Sequence, residues 1–216
     1  MSDIYTLYID DGLPISLHFT SAFCRCWKGS KGCGIQAVRT AKELGIEVKV
    51  RTKGIEYLEI VKKPKHGYGR AMNPCIDCRI FMLKHVRQFM DEIGASFIIT
   101  GEVLGQRPMS QRRDTIKLIE LESGLEGLIV RPLSAKHFSA TFPEQEGIVD
   151  RERLLGITGR SRKGQYGFVH SHGLTEFSCP GGGCLLNDPI FARKLKDLFA
   201  YQPELTMRDV ALLKIG

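Results

Sequence analysis

Apolar residues along this chain follow two spacings, one typical of strands and one typical of helices. Strand-like runs lie at residues 15–20, 48–51, 97–100 and 128–131. Helical spacing is seen at residues 35–44, 55–61, 79–93 and 110–122, and again from residue 187 onward. Ser110 is the expected N-cap of the fourth of these helices. The run at 97–100 does not alternate, which indicates a central strand covered on both faces. Alternating strands and helices predict an α/β fold built on a parallel sheet.

Two cysteines, Cys75 and Cys78, stand at the start of the longest predicted helix, directly after Pro74. Unpaired backbone N–H groups and the positive end of the helix dipole favour a thiolate at such a position. The thiolate is the form of cysteine that attacks an electrophile or binds a metal. Far along the chain, Cys184 follows three glycines, which allow the backbone to approach a cofactor closely. We therefore expect Cys184 to be the distant partner of the first two thiols.

The chain has 216 residues, of which 43% are hydrophobic and 25% charged, so it can bury a real core. Its formal net charge of +7 favours a polyanionic partner. No apolar run approaches the length of a membrane span, and the first residues lack the features of a signal peptide. We therefore expect a cytoplasmic protein with no membrane partner. In a reducing compartment the seven cysteines favour metal binding or catalysis over a disulfide framework.

Three other cysteines, Cys24, Cys26 and Cys33, fall in a segment rich in glycine and lysine that is typical of a loop. They could be metal ligands, or the segment could be a surface loop that happens to contain several cysteines. No nearby His or Cys pair completes a set of four ligands, so both interpretations stay open.

Positive charge collects in two segments of the second half of the chain. Thr100 and Gly101 end the central strand, where a parallel sheet places its ligands. The loop after them carries Arg107, Arg112 and Arg113, whose guanidinium groups can bind phosphates.

The second basic segment contains Arg160, Arg162 and Lys163 among glycines. Such a run is either a solvated face or a nucleic-acid surface, and the sequence leaves both open.

Five motifs in fixed order carry a resemblance to a known family. They are CIDC at residues 75–78, IITGEVLGQRPMSQ at 98–111, RPLSAK at 131–136, GRSRK at 159–163 and GGCLL at 182–186. Together they resemble a prokaryotic tRNA thiolation family related to the tRNA 2-thiouridine synthetases, whose members are often labelled tRNA thiouridylate methyltransferases. The resemblance runs from about Leu17 to the last residue. It implies the Rossmann-like fold of the adenine nucleotide alpha-hydrolases.

The resemblance also implies an activity and its cofactors. ATP, with Mg²⁺, would adenylate a uridine carbonyl of tRNA, and sulfur from a donor protein or from sulfide would replace the oxygen. Cys78 and Cys184 match the catalytic cysteines that handle sulfur. Together with Cys75 they could instead hold a 4Fe–4S cluster that leaves one iron open for sulfide.

Binding residues follow from the same resemblance. Thr100 and Gly101 would approach the α-phosphate of ATP, and Leu17, His18 and Phe19 would receive the adenine. The residues expected to contact tRNA are Arg107, Arg112, Arg113, Arg160, Arg162 and Lys163.

One family feature is missing from this sequence. The related enzymes open with a strand and a Ser-Gly-Gly-x-Asp-Ser loop that holds the ATP phosphates, and no such loop stands before Leu17. We therefore expect either a fragment whose first strand and helix are missing or a degenerate paralogue. In both cases the sheet would be incomplete at the N-terminus, with an open edge where the first strand would lie. The core is expected to span residues 1–135, and residues 136–216 would form an extension carrying the Gly-Gly-Gly-Cys motif.

A different class of protein also fits the cysteine spacing. Cys75, Cys78, Cys179 and Cys184 could form a closed zinc site in an RNA-binding module without catalysis. The Thr-Gly strand end and the arginine-containing loop favour the enzyme, because a binding module does not need them. A thioredoxin-like redox protein fits poorly, since the C-x-x-C motif lies far from the first strand.

Overall fold

The computed structural model describes residues 3–10, 14–24, 33–173, 184–202 and 204–214. Its strands are β1 (Asp3–Tyr8), β2 (Ile15–Ser21), β3 (Glu47–Lys53), β4 (Phe97–Thr100) and β5 (Ile129–Val130). Its helices are α1 (Cys33–Glu43), α2 (Ile55–Lys62), α3 (Cys75–Ile93), α4 (Arg113–Ser123), α5 (Phe142–Gln145), α6 (Lys163–Ser171), α7 (Pro189–Tyr201) and α8 (Met207–Leu212). Short 3-10 turns lie at Ala135–His137, Arg151–Arg153 and Leu185–Asn187. Within these residues no helix is long and apolar enough to cross a membrane.

The five strands form one mixed sheet in the order β3-β2-β1-β4-β5. β2 is parallel to β3, and β4 is parallel to β5. β1 is antiparallel to both of its neighbours, β2 and β4. The α/β class predicted from the sequence is therefore confirmed, whereas the prediction of a wholly parallel sheet is wrong.

A strand that the sequence did not predict, β1, lies in the middle of the sheet between β2 and β4. The expectation that the family's first strand and phosphate loop are missing stays a prediction. Tyr5 pairs with Leu17 on one side and with Thr100 on the other. The side chains of Tyr5 and Leu7 are buried, while those of Ile4 and Thr6, which alternate with them along the strand, are only half-buried. This alternation has the period of a strand and is present in the sequence.

The largest core lies between the sheet and α3. Leu83, Val86 and Met90 on α3 are buried together with Leu17 of β2 and Ile98 of β4. The helix ends at Gly94, whose positive φ of 67° lets its N–H bond to the carbonyl of Met90. At its other end α3 begins at Cys75, four residues earlier than the apolar pattern predicted, so both thiols lie in its first turn.

A second core joins the C-terminal helices to the segment around α2. Phe191 and Val210 are buried with Phe23 and Tyr57, and the rings of Phe23 and Phe191 meet edge to face at 6.1 Å. This core includes residues from both sides of position 135. The division of the chain at that position stays a prediction.

A buried carboxylate between two arginines connects the elements around the end of β4. Glu102 lies 3.6 Å from Nε of Arg79 on α3 and 3.1 Å from Nε of Arg131 after β5. All three residues are buried. Arg79 donates to the hydroxyl of Tyr5 on β1 at 2.7 Å, and Arg131 also pairs with Glu120 on α4. The network therefore reaches three strands and two helices.

The charge state of Glu102 follows from these contacts. Burial alone would raise the pKa of Glu102, but attraction to Arg79 and Arg131 outweighs burial and leaves this pKa below its ordinary value. A carboxyl whose pKa is lowered on folding stabilises the protein above its unfolded pKa of about 4.3. That stabilisation is lost as the pH falls through the lower folded pKa.

We expect Glu102→Gln to reduce the free energy of unfolding at pH 7 by about 3–5 kcal/mol, because it leaves two buried guanidinium groups without their shared carboxylate. The difference from the wild type should be smaller at pH 3, which lies below the unfolded pKa of about 4.3, because the unfolded wild type then binds a proton at this carboxyl that the lowered pKa of the folded protein disfavours. Urea denaturation followed by circular dichroism at both pH values measures this.

The matched control is Glu92→Gln, which removes a carboxylate from the exposed pair with Arg51. An exposed pair contributes less than about 1 kcal/mol, so this variant should unfold almost like the wild type. If the two variants lose the same free energy of unfolding, the buried network has no special role.

Candidate functional site

The first turn of α3 presents the C-x-x-C motif and fixes the loop in front of it. Pro74 is the N-cap residue, and its carbonyl accepts the N–H of Cys78 at 2.8 Å. The carboxylate of Asp77, between the two cysteines, accepts the backbone N–H groups of Lys65 and His66 at 3.2 and 3.0 Å. The ring nitrogens of His66 lie 3.0 Å from carboxylate oxygens of Asp77 and Glu122. The basic loop before the motif is thus tied to the helix that carries the thiols.

Cys78 lies beside a buried ammonium group. Nζ of Lys53, the last residue of β3, donates to Sγ of Cys78 at 3.3 Å. Lys53 is only 5% exposed, and its ammonium also lies 5.0 Å from the centre of the Tyr57 ring. The ammonium and the first turn of α3 together place positive charge at this sulfur. Cys78 therefore has the surroundings of a nucleophilic cysteine.

Backbone hydrogen bonds bring the segment of Cys184 to the same region. The N–H of Leu185 donates to the carbonyl of Phe23 at 2.8 Å, and Cys184 stands opposite Cys24 in an antiparallel bridge. The carbonyl of Leu186 accepts the N–H of Met72, a few residues before Cys75, at 3.1 Å. The segment of Cys184 therefore lies beside the segment that leads into α3, and the partnership between Cys184 and the C-x-x-C motif stays a prediction.

The predicted metal ligands do not form a ligand set in the part of the chain that the structure describes. No group of three or more His, Cys, Asp or Glu side chains there could hold a metal ion. Sγ of Cys78 accepts a hydrogen bond from the ammonium of Lys53. Cys179 and Cys26 lie outside the described residues, as does the side chain of Cys33. The 4Fe–4S cluster and the zinc site stay predictions.

The last residue of β4 and the loop that follows the strand contain several buried polar atoms without partners. Among the described residues these include Oγ1 of Thr100, Oε1 of Gln106, Oγ of Ser110 and both amide atoms of Gln111. Such atoms are uncommon in folded proteins and concentrate where water, ions or ligands bind. Gly101 is exposed, and a Cβ placed there would meet no atom within 4 Å. These features fit the predicted approach of a polar ligand such as ATP to Thr100 and Gly101.

Ser110 does not cap α4, in contrast to the prediction from the sequence. The N-cap residue is Arg112, and Ser110 is buried in the preceding loop. The loop closes on itself, because the N–H of Gly105 bonds to the carbonyl of Gln111 at 2.7 Å. This closure carries Ser110 inward, away from the first turn of the helix.

The residues expected to receive adenine lie inside the sheet. Leu17, His18 and Phe19 of β2 are buried, and their backbones pair with β1 on one side and β3 on the other. Leu17 and Phe19 belong to the core against α3. A contact between these residues and adenine stays a prediction.

The two basic segments predicted to bind tRNA lie side by side. Leu104 forms a parallel bridge with Thr158, and its carbonyl accepts the N–H of Gly159 at 2.8 Å. Further along, the amide of Gln106 donates to the side chain of Gln165 at 2.8 Å. The loop with Arg107 and the segment with Arg160, Arg162 and Lys163 therefore form one surface.

Ser134, from the RPLSAK motif, forms hydrogen bonds that hold the two basic segments together. Its hydroxyl accepts the N–H of Leu104 at 3.1 Å and donates to the carbonyl of Ile157 at 2.8 Å. The residue is fully buried. A single hydroxyl thus links the start of the first basic segment to the chain just before the second.

The basic side chains differ in their surroundings. Arg160 and Lys163 are exposed, whereas Arg107 and Arg162 are half-buried. Arg112 is exposed and pairs with Asp114 at 2.9 Å. Arg113 donates to the carbonyl of His137 at 2.6 Å and lies over the ring of Phe138. Contact of all six residues with tRNA stays a prediction, and Arg113 also has a packing role within the protein.

The basic surface also contacts the segment that leads to the thiols. A Cβ at Gly69 would lie 2.6 Å from Sδ of Met109 in the Arg107 loop, so a larger residue here would displace the end of the Met109 side chain. The N–H of Gly69 bonds to the carbonyl of Asn73, next to Pro74, at 2.9 Å. The Arg107 loop, which follows β4, thus adjoins the segment that leads to the C-x-x-C motif.

Sequence reasoning missed Lys53, Glu102 and Ser134. A lysine or glutamate that becomes buried gives no local signal, because its partner lies far away along the chain. Ser134 belongs to a motif of the resemblance, yet the motif by itself indicates no role for its hydroxyl.

Comparison with known protein families, with curated proteins and with solved structures gave no match. The resemblance to tRNA thiolation enzymes therefore stays a prediction from the five motifs.

We expect Lys53→Met to slow alkylation of Cys78 by iodoacetamide at pH 7 several-fold, because it removes the hydrogen-bond donor and the positive charge beside the sulfur. Methionine keeps apolar contact with Tyr57 but has no charge. Mass spectrometry of the Cys78 peptide at timed intervals gives the rate.

Lys53→Arg should recover much of the rate because it restores the charge, and Lys84→Met, at an exposed position of α3, should leave the rate unchanged. Equal alkylation rates in the wild type and Lys53→Met would rule out the activating role of Lys53.

Proposed function

We propose that this protein is a tRNA-modifying sulfurtransferase that replaces a uridine oxygen with sulfur at the expense of ATP. The observation that supports this most directly is the contact between Cys78 and the buried ammonium of Lys53 at the start of α3. The first turn of α3, which carries the sulfur of Cys78, lies near the basic segments with Arg107 and Arg160, and their charge suits a polyanion. The proposed reaction takes place in the cytoplasm.

The chemistry explains why such parts are needed together. A uracil carbonyl is a poor electrophile until its oxygen is joined to AMP, with release of pyrophosphate. A sulfur nucleophile then attacks the activated carbon, and AMP leaves with the former carbonyl oxygen. ATP with Mg²⁺ supplies the activating group, and a donor protein or sulfide supplies the sulfur.

The residues of this chain would act around that chemistry. Lys53 holds Sγ of Cys78 in place through a hydrogen bond, where the sulfur would receive or pass on sulfur. The hydroxyl of Thr100 can donate to a phosphate oxygen, since it has no other partner among the described residues. Arg107 and the exposed Arg160 and Lys163 would neutralise tRNA phosphates. The target base must leave its stack to reach the site, which a broad basic surface supports.

Two routes for sulfur stay open within this proposal. In a persulfide relay, Cys78 and Cys184 handle sulfur and Cys75 is dispensable. In the cluster route, Cys75, Cys78 and Cys184 are all required because each is an iron ligand.

We expect tRNA affinity to fall steeply with salt, because basic side chains displace counterions from the phosphates. In the triple variant Arg107→Gln, Arg160→Gln, Lys163→Gln, the slope of log K against log salt should become shallower by about 0.7–0.9 for each phosphate that the variant no longer neutralises. Fluorescence anisotropy with labelled tRNA between low and physiological salt measures the slope.

A matched triple variant, Lys84→Gln, Arg193→Gln, Lys196→Gln, removes the same charge from exposed positions of α3 and α7. It should keep most of the wild-type slope. If the slope falls equally in both triple variants, tRNA binds by net charge alone and the defined surface is refuted.

We expect Cys78→Ala and Cys184→Ala to abolish thiouridine formation, because each removes a sulfur atom that both routes require. Cys75→Ala should retain activity in the persulfide relay and lose it in the cluster route. Liquid chromatography of digested tRNA, after incubation of the variant with ATP, a sulfur donor and unmodified tRNA, measures the product.

Circular dichroism should show that all three variants stay folded. Activity in every variant would overturn the proposed chemistry. Binding of tRNA without any thiouridine, even in the wild type, would favour a non-catalytic RNA-binding module.

A further inference from the structure

Cys24 and Cys184 face each other across two antiparallel segments. The structure pairs them directly, as an isolated antiparallel bridge. The N–H of Leu185 donates to the carbonyl of Phe23, the residue before Cys24. A bond between these flanking residues identifies the cysteine pair as a non-hydrogen-bonded pair, the type in which opposite side chains are closest.

This geometry suits a covalent bond between the two sulfurs. In a non-hydrogen-bonded pair the Cα atoms lie about 4.5 Å apart, which falls within the range of about 4.4–6.8 Å found for disulfides. Both residues are half-buried, so a small reagent can reach them. A bond could therefore form with little movement of the backbone.

A positive charge stands next to Cys24. Nζ of Lys214, beyond α8, donates to the carbonyl of Cys24 at 3.3 Å. Burial lowers the pKa of Lys214, and attraction to Cys24 acts in the opposite direction. The same attraction favours the thiolate of Cys24, which is the form that reacts with a disulfide.

We infer that Cys24 and Cys184 form an exchange-active dithiol that takes up a disulfide bond from a low-molecular-weight disulfide. The thiolate of Cys24 attacks one sulfur of the small disulfide and releases one small thiolate. The thiolate of Cys184 then attacks Sγ of Cys24 in the mixed disulfide and expels the second small thiolate. The two protons of the protein thiols pass to the two small thiolates. The protein pair is oxidised by two electrons, and the small disulfide is reduced by two.

This site gives Cys24 a role that the sequence left open. It also has a consequence for sulfur transfer, which rests on the proposed function. A bond to Cys24 occupies Cys184 and withholds it from sulfur chemistry until a thiol reduces the pair.

The test uses the whole chain, oxidised glutathione at pH 7.5 and no tRNA or ATP, so its outcome is independent of the proposed function. After the remaining thiols are blocked, the unreduced protein is digested with trypsin and analysed by tandem mass spectrometry. Trypsin separates Cys24 from Cys26 by cleaving after Arg25. Fragmentation distinguishes Cys184 from Cys179, which shares its tryptic peptide.

The expected product is a peptide pair joined through Cys24 and Cys184. In Cys24→Ser this pair must be absent, and Cys184 should be found as a thiol or joined to glutathione. Lys214→Met should slow formation of the bond several-fold, whereas Lys196→Met, at an exposed position of α7, should not.

Three results would overturn the inference. The first is a bond from Cys184 to Cys78 or Cys179 as the main product. The second is glutathione attached to Cys24 or Cys184 with no bond between them. The third is no oxidation of either residue while other cysteines in the chain react.

Discussion

The buried contact of Glu102 with Arg79 and Arg131 is the constraint on which the site depends. A carboxylate in the interior must be matched by positive charge, so α3 and the end of β5 cannot shift along β4 without separating charges. Arg79 directly follows Cys78 in α3. The network therefore fixes the position of that thiol relative to the end of β4, and Lys53 meets it from β3 on the other side.

A second constraint gathers the basic residues. The net charge of +7 says nothing about where the charge lies, but the hydroxyl of Ser134 and the bridge between Leu104 and Thr158 join two segments that are far apart in sequence. Polar atoms buried beneath this surface, on Thr100, Gln106, Ser110 and Gln111, lack partners among the described residues. Charge outside and unused hydrogen-bonding capacity inside are what a site for a phosphate-bearing ligand requires.

Much of the fold could be predicted from apolar spacing. The positions of α3 and β4 follow from long regular patterns, and the α/β class follows from their alternation. β1 was missed because its short alternation precedes an acidic turn and no earlier element suggested a partner. The adjacency of the thiols and the basic segments could be expected only from the resemblance. Lys53 and Glu102 could not be predicted, since the pairing that makes a buried charge tolerable is set by tertiary structure.

The central, antiparallel position of β1 has a consequence for synthesis of the protein. β1 is translated before β4, yet it needs β4 to pair its second edge, as Tyr5 does with Thr100. Until α3 and β4 have emerged, β1 can pair only with β2, in the three-stranded unit β3-β2-β1, and the apolar side chains of Tyr5 and Leu7 lack the helix that covers them. The pairing of β1 with β4 therefore forms late. It joins parts of the chain that are far apart in sequence, and such long-range pairing slows folding. The nascent chain exposes this strand's free edge to other chains during that interval.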